Sequence, residues 1–417
     1  MGAGMRAAGK MRAGKKALSV AALGLMCLWG APALAGGYAQ GTQGAASAGV
    51  AGAMTARPDT PEAGYYNPAG LALRPGWGAM VGTGAIFPTL FHVDPESGER
   101  TRAENDLAFV PHLHASWRPG ERVGLGLSVG VPYGSSLRWP ENWEGRFEAQ
   151  AVSLRAFEAA PSLALRPTRW LAFGAGPRVL LGSIGLERQI DVARSGEEAR
   201  VDLAANAWGL GAQVGVWVAP TRRLSFGLSW RSTVRLNFSG VADFSDVPPE
   251  LSEQARDTPF TTTIVLPDRI VLGGAWELGA DAIVSLDVEY NRWSANQRFE
   301  VDFEDDQVDD IDEARGWRDT FGMRVGVEYA SPYGGLVMRS GFAIDPSPTP
   351  AEALTPAQPD TDRYIASLGV AYDVDDHLQV NLAYNYVILS QNAAGADAYP
   401  GIYDGFAHVL VLSLLAK

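Results

Sequence analysis

Val123-Gly124-Leu125-Gly126-Leu127-Ser128-Val129-Gly130-Val131 and, later in the chain, Phe321-Gly322-Met323-Arg324-Val325-Gly326-Val327-Glu328-Tyr329 put an apolar side chain at every second position. Period two means strands, because successive side chains of a strand point to opposite faces. One face of each run is apolar, and the other is glycine, serine or charge. Outward from these two runs the same pattern recurs from Trp77 to the C-terminus, with turn residues between. Fourteen runs emerge, at 77–88, 105–118, 121–132, 148–166, 169–188, 201–219, 223–239, 261–278, 281–299, 315–330, 334–345, 363–374, 378–390 and 404–416. Their connections sort by parity. Every second one is a tight turn (Arg118-Pro119-Gly120, Arg166-Pro167-Thr168, Ala219-Pro220-Thr221, Leu278-Gly279-Ala280, Ser331-Pro332-Tyr333, Asp375-Asp376), and those between are long. An even strand count with short periplasmic turns and long extracellular loops is the pattern of an outer-membrane barrel. A soluble sandwich or propeller has no reason to sort its loops this way. The expected fold is all-β, a 14-stranded antiparallel transmembrane β-barrel over 77–417, with Trp77, Trp117, Trp170, Trp217, Trp230, Trp276, Trp293 and Trp317 placed for interfacial girdles.

Composition agrees. The 417 residues carry 34 Lys+Arg against 47 Asp+Glu, a net charge of −13, and the basic residues cluster only in the first 16 residues and in isolated turn pairs. A polyanion partner needs clustered positive charge, so nucleic acid is excluded. Residues 1–35 read as a secretory signal: Arg6, Lys10, Arg12, Lys15 and Lys16, then an apolar stretch from Ala17 to Ala31, then Ala33-Leu34-Ala35 as cleavage site. The apolar stretch is shorter than the roughly 20 residues of a spanning helix. Cys27 lies in this leader behind Met26, where lipidation prefers a small residue. Without the leader no cysteine remains, which removes disulfides, thiolate catalysis and cysteine metal sites.

Between leader and first strand, residues 36–76 are rich in Gly and Ala and lack alternation. A barrel of this size leaves an interior wider than side chains alone fill, so this segment is long enough to fold inside it as a plug. It contains Tyr65-Tyr66-Asn67-Pro68-Ala69-Gly70-Leu71, and here the sequence resembles the FadL-type outer-membrane transporters of hydrophobic compounds. Trp143-Glu144-Gly145-Arg146-Phe147, Leu266-Pro267-Asp268, Trp317-Arg318-Asp319-Thr320, Arg339-Ser340-Gly341-Phe342 and Pro359-Asp360-Thr361-Asp362-Arg363 resemble further family segments, in the family's order. The resemblance covers essentially the whole chain after the leader. It implies an N-terminal hatch over 36–76, with Asn67, Pro68, Ala69 and Gly70 holding or moving it, and an apolar tunnel. It also implies a sideways exit at a kink in the third strand. Gly130, Pro132 and Gly134 are the kink candidates, since proline brings no N–H to a ladder and glycine marks bulges. A proline at a strand end is equally ordinary turn chemistry. Two departures from the family stand out: the ending Leu415-Ala416-Lys417 lacks a terminal aromatic, and the third long loop, about 189–200, is short and charged, which reduces the docking groove the family builds there. The fourth, Val241 to Thr261, stays long, with a short helix at Leu251–Ala255.

Catalytic constellations are thin. Gly126-Leu127-Ser128-Val129-Gly130 fits G-x-S-x-G, but that elbow needs a strand-to-helix turn and this one lies within alternation. His112 and His114 share one strand face without a third ligand, which favours a girdle or rim role. Asp302 to Glu313 holds eight carboxylates without the glycine and spacing of an EF-hand, so a solvated acidic loop is expected. By alternation Arg231, Asp287, Glu289, Arg324, Glu328 and Arg339 point inward. They are expected to pair across strands, while Arg231, Arg324 and Arg339 are also candidates to receive a carboxylate headgroup. The reading is a passive importer, not an enzyme, of long-chain fatty acids or aromatic hydrocarbons, without cofactor or metal, monomeric in outer-membrane lipid. A polar-solute pore, a barrel enzyme and a surface receptor or adhesin are the alternatives.

Overall fold

The computed structural model describes residues 37–192, 197–249, 255–332, 334–394 and 399–417. The leader reading of residues 1–35 and most of the expected helix at Leu251–Ala255 lie outside them. Nineteen strand segments form one antiparallel sheet that closes on itself. They make fourteen staves: β1 (Gly76–Val93), β2 (Arg100–Arg102 and Ala108–Arg118), β3 (Val123–Arg138), β4 (Ala151–Thr168), β5 (Leu171–Val192), β6 (Glu197–Val218), β7 (Leu224–Arg231 and Val234–Ser245), β8 (Thr258–Leu266 and Arg269–Leu278), β9 (Ala282–Asn291 and Arg298–Phe303), β10 (Ile311–Ala314 and Thr320–Ala330), β11 (Leu336–Asp345), β12 (Arg363–Asp373), β13 (Leu378–Ala393) and β14 (Ile402–Ala416). Closure is the β1–β14 ladder, which runs from Ala79↔Ala416 to Val93↔Ile402.

Alternation puts leucine, valine and phenylalanine on the outside of every stave. Leu181 is 61% exposed, Leu272 58%, Phe321 68% and Leu368 63%. A continuous apolar belt of this kind is stable only against lipid, since it forfeits the burial that folds soluble proteins. Trp77 and Trp117 face each other across the β1–β2 ladder at the tight-turn end, and Trp276 is exposed at the same end. Trp293 and Trp317 are not girdle residues. Both are 1% exposed and pack with Tyr38 inside the barrel, because the staves carrying them bend inward just there. Trp217 also faces in, donating from Nε1 to Ala56 O at 3.0 Å.

The staves outrun the bilayer on the long-loop side. β5 and β6 are 22 residues each where about 9–11 tilted residues suffice to cross. Their ladder continues to Val192↔Glu197, so the stretch expected as a charged loop at 189–200 is the end of a hairpin. The acidic stretch 302–313 likewise lies in an extended hairpin, with Val301 opposite Ile311.

Four neighbouring staves, β7 to β10, break at one level. Asp268, between the two halves of β8, accepts Thr233 N at 2.9 Å from the break in β7 and ion-pairs with Arg292 at the break in β9. Asp319, ahead of the second half of β10, accepts Ser294 N at 2.9 Å and Tyr290 OH at 2.6 Å. Two of the motif aspartates thus brace bends, where backbone groups released from the ladder need other partners.

Candidate functional site: the filled lumen and the third strand

Residues 37–75 run through the lumen, with α1 (Ala45–Gly49), α2 (Ala63–Tyr66) and a 3-10 turn, Pro68–Ala72, all buried. Such short helices lack the length to be stable alone; wall contacts hold them. Asn67 is the N-cap of the 3-10 turn: Oδ1 accepts Ala69 N at 3.1 Å, and Nδ2 donates to Thr55 O at 2.9 Å and to Val216 O of β6 at 3.0 Å. Pro68, at N1, has no N–H to leave unpaired. Gly70 sits against Pro58, so a Cβ there would lie 2.2 Å from Pro58 O. The wall answers with glycine. A Cβ on Gly215 would come 2.1 Å from Asn67 Oδ1, and one on Gly174 2.3 Å from the Pro68 carbonyl carbon. The small inward faces of β5 and β6 admit the plug backbone; they are not the lining of an open pore.

Charges hold the plug from the side. Glu158 of β4 receives Arg178 of β5 (Nε at 2.9 Å) and also Arg231 of β7. Arg231 Nη1 donates on to Tyr65 O at 3.1 Å and Gln213 Oε1 at 2.9 Å, with its guanidinium 4.1 Å from the Tyr65 ring. Asp287 accepts Met54 N at 3.1 Å and Thr55 N at 2.9 Å. Arg324 reaches Glu289 at 3.2 Å, Asp345 at 2.7 Å and Ala51 O at 3.3 Å. Arg339 bonds Glu328 at 2.7 Å and Asn381 at 3.0 Å, and Glu328 also binds Arg57 of the plug at 2.9 Å. Arg231, Arg324 and Arg339 are therefore each engaged by carboxylates of the barrel. Glu158, Arg178 and Arg269, which complete these networks, were not among the residues singled out by alternation, although the same parity count on β4, β5 and β8 finds them.

His112 and His114 are 4% and 1% exposed and belong to this interior, not to a girdle or rim. His114 contacts Gln43 O at 2.7 Å and Ser128 Oγ at 3.0 Å, and His112 contacts Ser413 Oγ at 2.8 Å. Their strand face is opposite the one that meets lipid. Ser128 is mid-strand as expected, and Gly64 of the plug occupies the space in front of it. Within the plug, Glu62 is fully buried and accepts Ser47 N at 3.1 Å; burial pushes its carboxyl above the ordinary range. Among the described residues no group of three or more His, Cys, Asp or Glu side chains is placed to hold a metal.

At the third strand the alternation fails. Gly130 through Gly134 are buried one after another. The β3–β4 ladder shifts between Gly130↔Glu158 and Tyr133↔Ala156, three steps against two, which is a bulge. On the other side the β2–β3 ladder stops at Leu113↔Val129. Were it to continue, Pro111 would face Val131 and Pro132 would face Val110, and neither proline has an N–H to offer. The backbone of the bulge is met from inside instead: Gln40 N donates to Pro132 O at 2.8 Å, Gly134 N to Tyr38 O at 2.9 Å, and Gln43 Nε2 to Val131 O at 3.2 Å. Contact with β2 resumes between its two segments, where Glu104 N donates to Arg138 O at 2.8 Å. The gap in the β2–β3 ladder is thus flanked at both ends by hydrogen bonds.

Beside it lies a cavity of about 340 Å³, walled by Leu154, Ile184, Leu203, Phe260, Ile264 and Val301, with Tyr38 and Ser135 on the β3 side and Arg315 and Trp317 above. Tyr38 belongs both to the cavity and to the bulge contact. A closed barrel, a filled lumen, a broken third strand and an apolar cavity now stand together. The model of the outer membrane protein transport protein family (OMPP1/FadL/TodX) matches residues 27–412. The chain belongs to this family. It is an outer-membrane barrel of the FadL type. The long-chain fatty acid transport protein of Salmonella typhi is 24% identical over 307 residues, 67% of this chain and 70% of that protein. In fold the chain is similar to a Pseudomonas aeruginosa FadL homologue (TM-score 0.80, 20% identity, 91% of this chain and 99% of the other). It is also similar to the P. putida toluene transporter TodX (0.74, 16%, 90% and 98%).

In this FadL-family barrel, Asn67 is the plug residue with most to lose. Asn67→Ala takes from Thr55 O and Ala69 N the partners that Asn67 supplies, each at a cost of about 1–3 kcal/mol, and removes the tie between the plug and Val216 O of β6. Single channels of Asn67→Ala in planar bilayers are expected to conduct ions more, or to flicker open, while the barrel stays intact. Conductance equal to the unaltered protein would show that the plug is held elsewhere.

Proposed function

We propose that the protein is a passive importer of hydrophobic small molecules across the outer membrane. The solute settles in the apolar cavity, passes the Tyr38–Gln40 segment and leaves sideways through the window between β2 and β3. The observation that carries this reading is the window itself: a wall ladder that ends at Leu113↔Val129, with the cavity on its inner side. The outer sugar layer of such a membrane is polar and resists greasy solutes, whereas an apolar route with a lateral exit delivers them to lipid without crossing water. In this reading Asn67, Pro68, Ala69 and Gly70 anchor residues 36–76 as a hatch, and the exit is shaped by Gly130, Pro132 and Gly134. No catalytic step, cofactor or energy source is required, and one chain in lipid suffices. The substrate class is long-chain fatty acids or aromatic hydrocarbons, as the names of the relatives suggest. Arg231, Arg324 and Arg339 act as structural cations here, because barrel carboxylates already neutralise them.

The test is uptake of labelled oleate and, in parallel, labelled toluene by cells lacking their own hydrophobic importer, with the unaltered protein or Asn67→Ala. Uptake of one solute above background, lowered or deregulated by the hatch variant, supports import and picks the class. Background uptake of both, with the barrel shown to be inserted, sinks import of these classes.

A further inference from the structure

Arg178, Arg231, Arg269, Arg324 and Arg339, deep in the lumen, each have a carboxylate partner, whereas a cluster of arginines at the tight-turn mouth has none. Arg166 at the end of β4, Arg169 in the β4–β5 turn, and Arg222 and Arg223 in the β6–β7 turn line a cavity of about 580 Å³. Among the described residues none of these four is ion-paired. Arg166 Nη2 donates only to Arg169 O, at 2.6 Å, and its Nε is buried without a partner. The cavity is internal to the barrel: Arg166 shares the face of Ser162 and Ala164, which are 7% and 0% exposed. Its ceiling is the underside of the plug, Ala56–Asp59, fastened by Trp217 Nε1 at 3.0 Å and Ser225 Oγ at 2.9 Å, both donating to Ala56 O. Of its two carboxylates, Asp59 already pairs with Arg57 at 3.2 Å, and Glu277 lies in the β8 wall.

The lining is of two kinds. Guanidinium forks match a planar carboxylate, and Trp170, Trp217 and Ile283 offer apolar and aromatic surface beside them. A volume in this range suits a small molecule. Trp217 and Ile283 lie on the inward strand face, and Trp170 stands exposed at the turn. We propose that the periplasmic mouth is a binding site for a small amphipathic organic anion, an alkyl or aryl carboxylate, seated beneath the plug. The carboxylate lies among Arg166, Arg169 and Arg223, and the apolar body lies on Trp170 and Trp217. The ligand then touches Ala56–Asp59, the stretch that the wall fastens, so the site reports periplasmic anion to the plug. It is separate from the cavity beside β3 and stands whether or not that cavity carries solute.

The experiment is quenching of tryptophan fluorescence in the purified full chain by 8-bromooctanoate, whose bromine quenches on contact. Saturable quenching is expected, with a smaller amplitude in Trp170→Phe, and about tenfold or weaker binding in Arg166→Gln/Arg169→Gln/Arg223→Gln, since charge-assisted bonds are lost. Arg169→Gln alone, in an exposed turn, gives a smaller shift of the same sign and guards against misfolding of the triple variant. Octanol and acetate, each carrying half of the recognition, do not displace the probe. Unchanged affinity in both arginine variants, or displacement by octanol at the concentration of octanoate, overturns the proposal. Stronger displacement by an acidic peptide than by octanoate also overturns it, by making the mouth a protein-docking surface.

Discussion

Glu158→Ala is expected to destabilise the protein by about 3–5 kcal/mol, the scale for breaking a buried ion pair from one side. Glu158 is 3% exposed and is the one carboxylate shared by Arg178 and Arg231, whose side chains are 0% and 3% exposed. Removing it leaves two guanidinium groups in the lumen with carbonyls and an amide for partners, and Arg231 is the group that holds Tyr65 of the plug. The heat or urea midpoint of unfolding in detergent should fall sharply. Glu158→Leu combined with Arg178→Met and Arg231→Met should recover much of the loss, because a well-packed apolar cluster replaces buried charge at little net cost. Asp404→Ala is the control: its pair with Arg100 at 2.6 Å lies at the rim with Arg100 52% exposed, and such pairs contribute about 0–1 kcal/mol. Equal effects of Glu158→Ala and Asp404→Ala would show that the interior network does not hold the barrel and plug together.

Deleting Pro132 is expected to reduce uptake to the level of cells without the protein, while the barrel still folds. The bulge gives β3 one residue more than β4 between Gly130 and Tyr133. Removing it restores a regular ladder, straightens the strand and brings it back beside β2. Val131 O, which Gln43 now satisfies from inside, would turn into the wall, Gln40 N would lose the Pro132 carbonyl, and the window would close. Binding of a hydrophobic fluorophore in the cavity beside Leu154 and Phe260 should persist, because most of its apolar wall lies on β4 to β9 and only Ser135 comes from β3. Uptake that survives the deletion in a correctly inserted barrel would remove the lateral exit from the mechanism.

How much of this was legible beforehand varies by residue. Strand count and direction were, because lipid on one side and plug on the other impose a two-sided pattern that period two reports directly. On the long-loop side the strands expected from sequence are too short and the loops too long. Beyond the bilayer the hairpins 171–218 and 298–314 continue with polar outer faces, so alternation of hydrophobicity fades while the ladder persists. The girdle expected for Trp293 and Trp317 fails because an aromatic near a strand end suits interface and interior alike; a bend in the stave decides which. The rim expected for His112 and His114 fails for a related reason. Parity gives their face, but not the depth at which the plug crosses it.

By itself, then, the sequence determined an all-β barrel, its inside and outside faces, the inward charges and the proline-bearing third strand. Those follow from local alternation and from backbone groups that proline and glycine alter wherever they stand. Only the tertiary structure decided which charges meet, that glycines of β5 and β6 face Asn67 and Pro68, and that the bulge at Val131 and Pro132 is answered by Gln40 and Gln43. These contacts join residues far apart in the chain. They are set by how the plug docks in the closed ring, a long-range geometry that no local periodicity encodes.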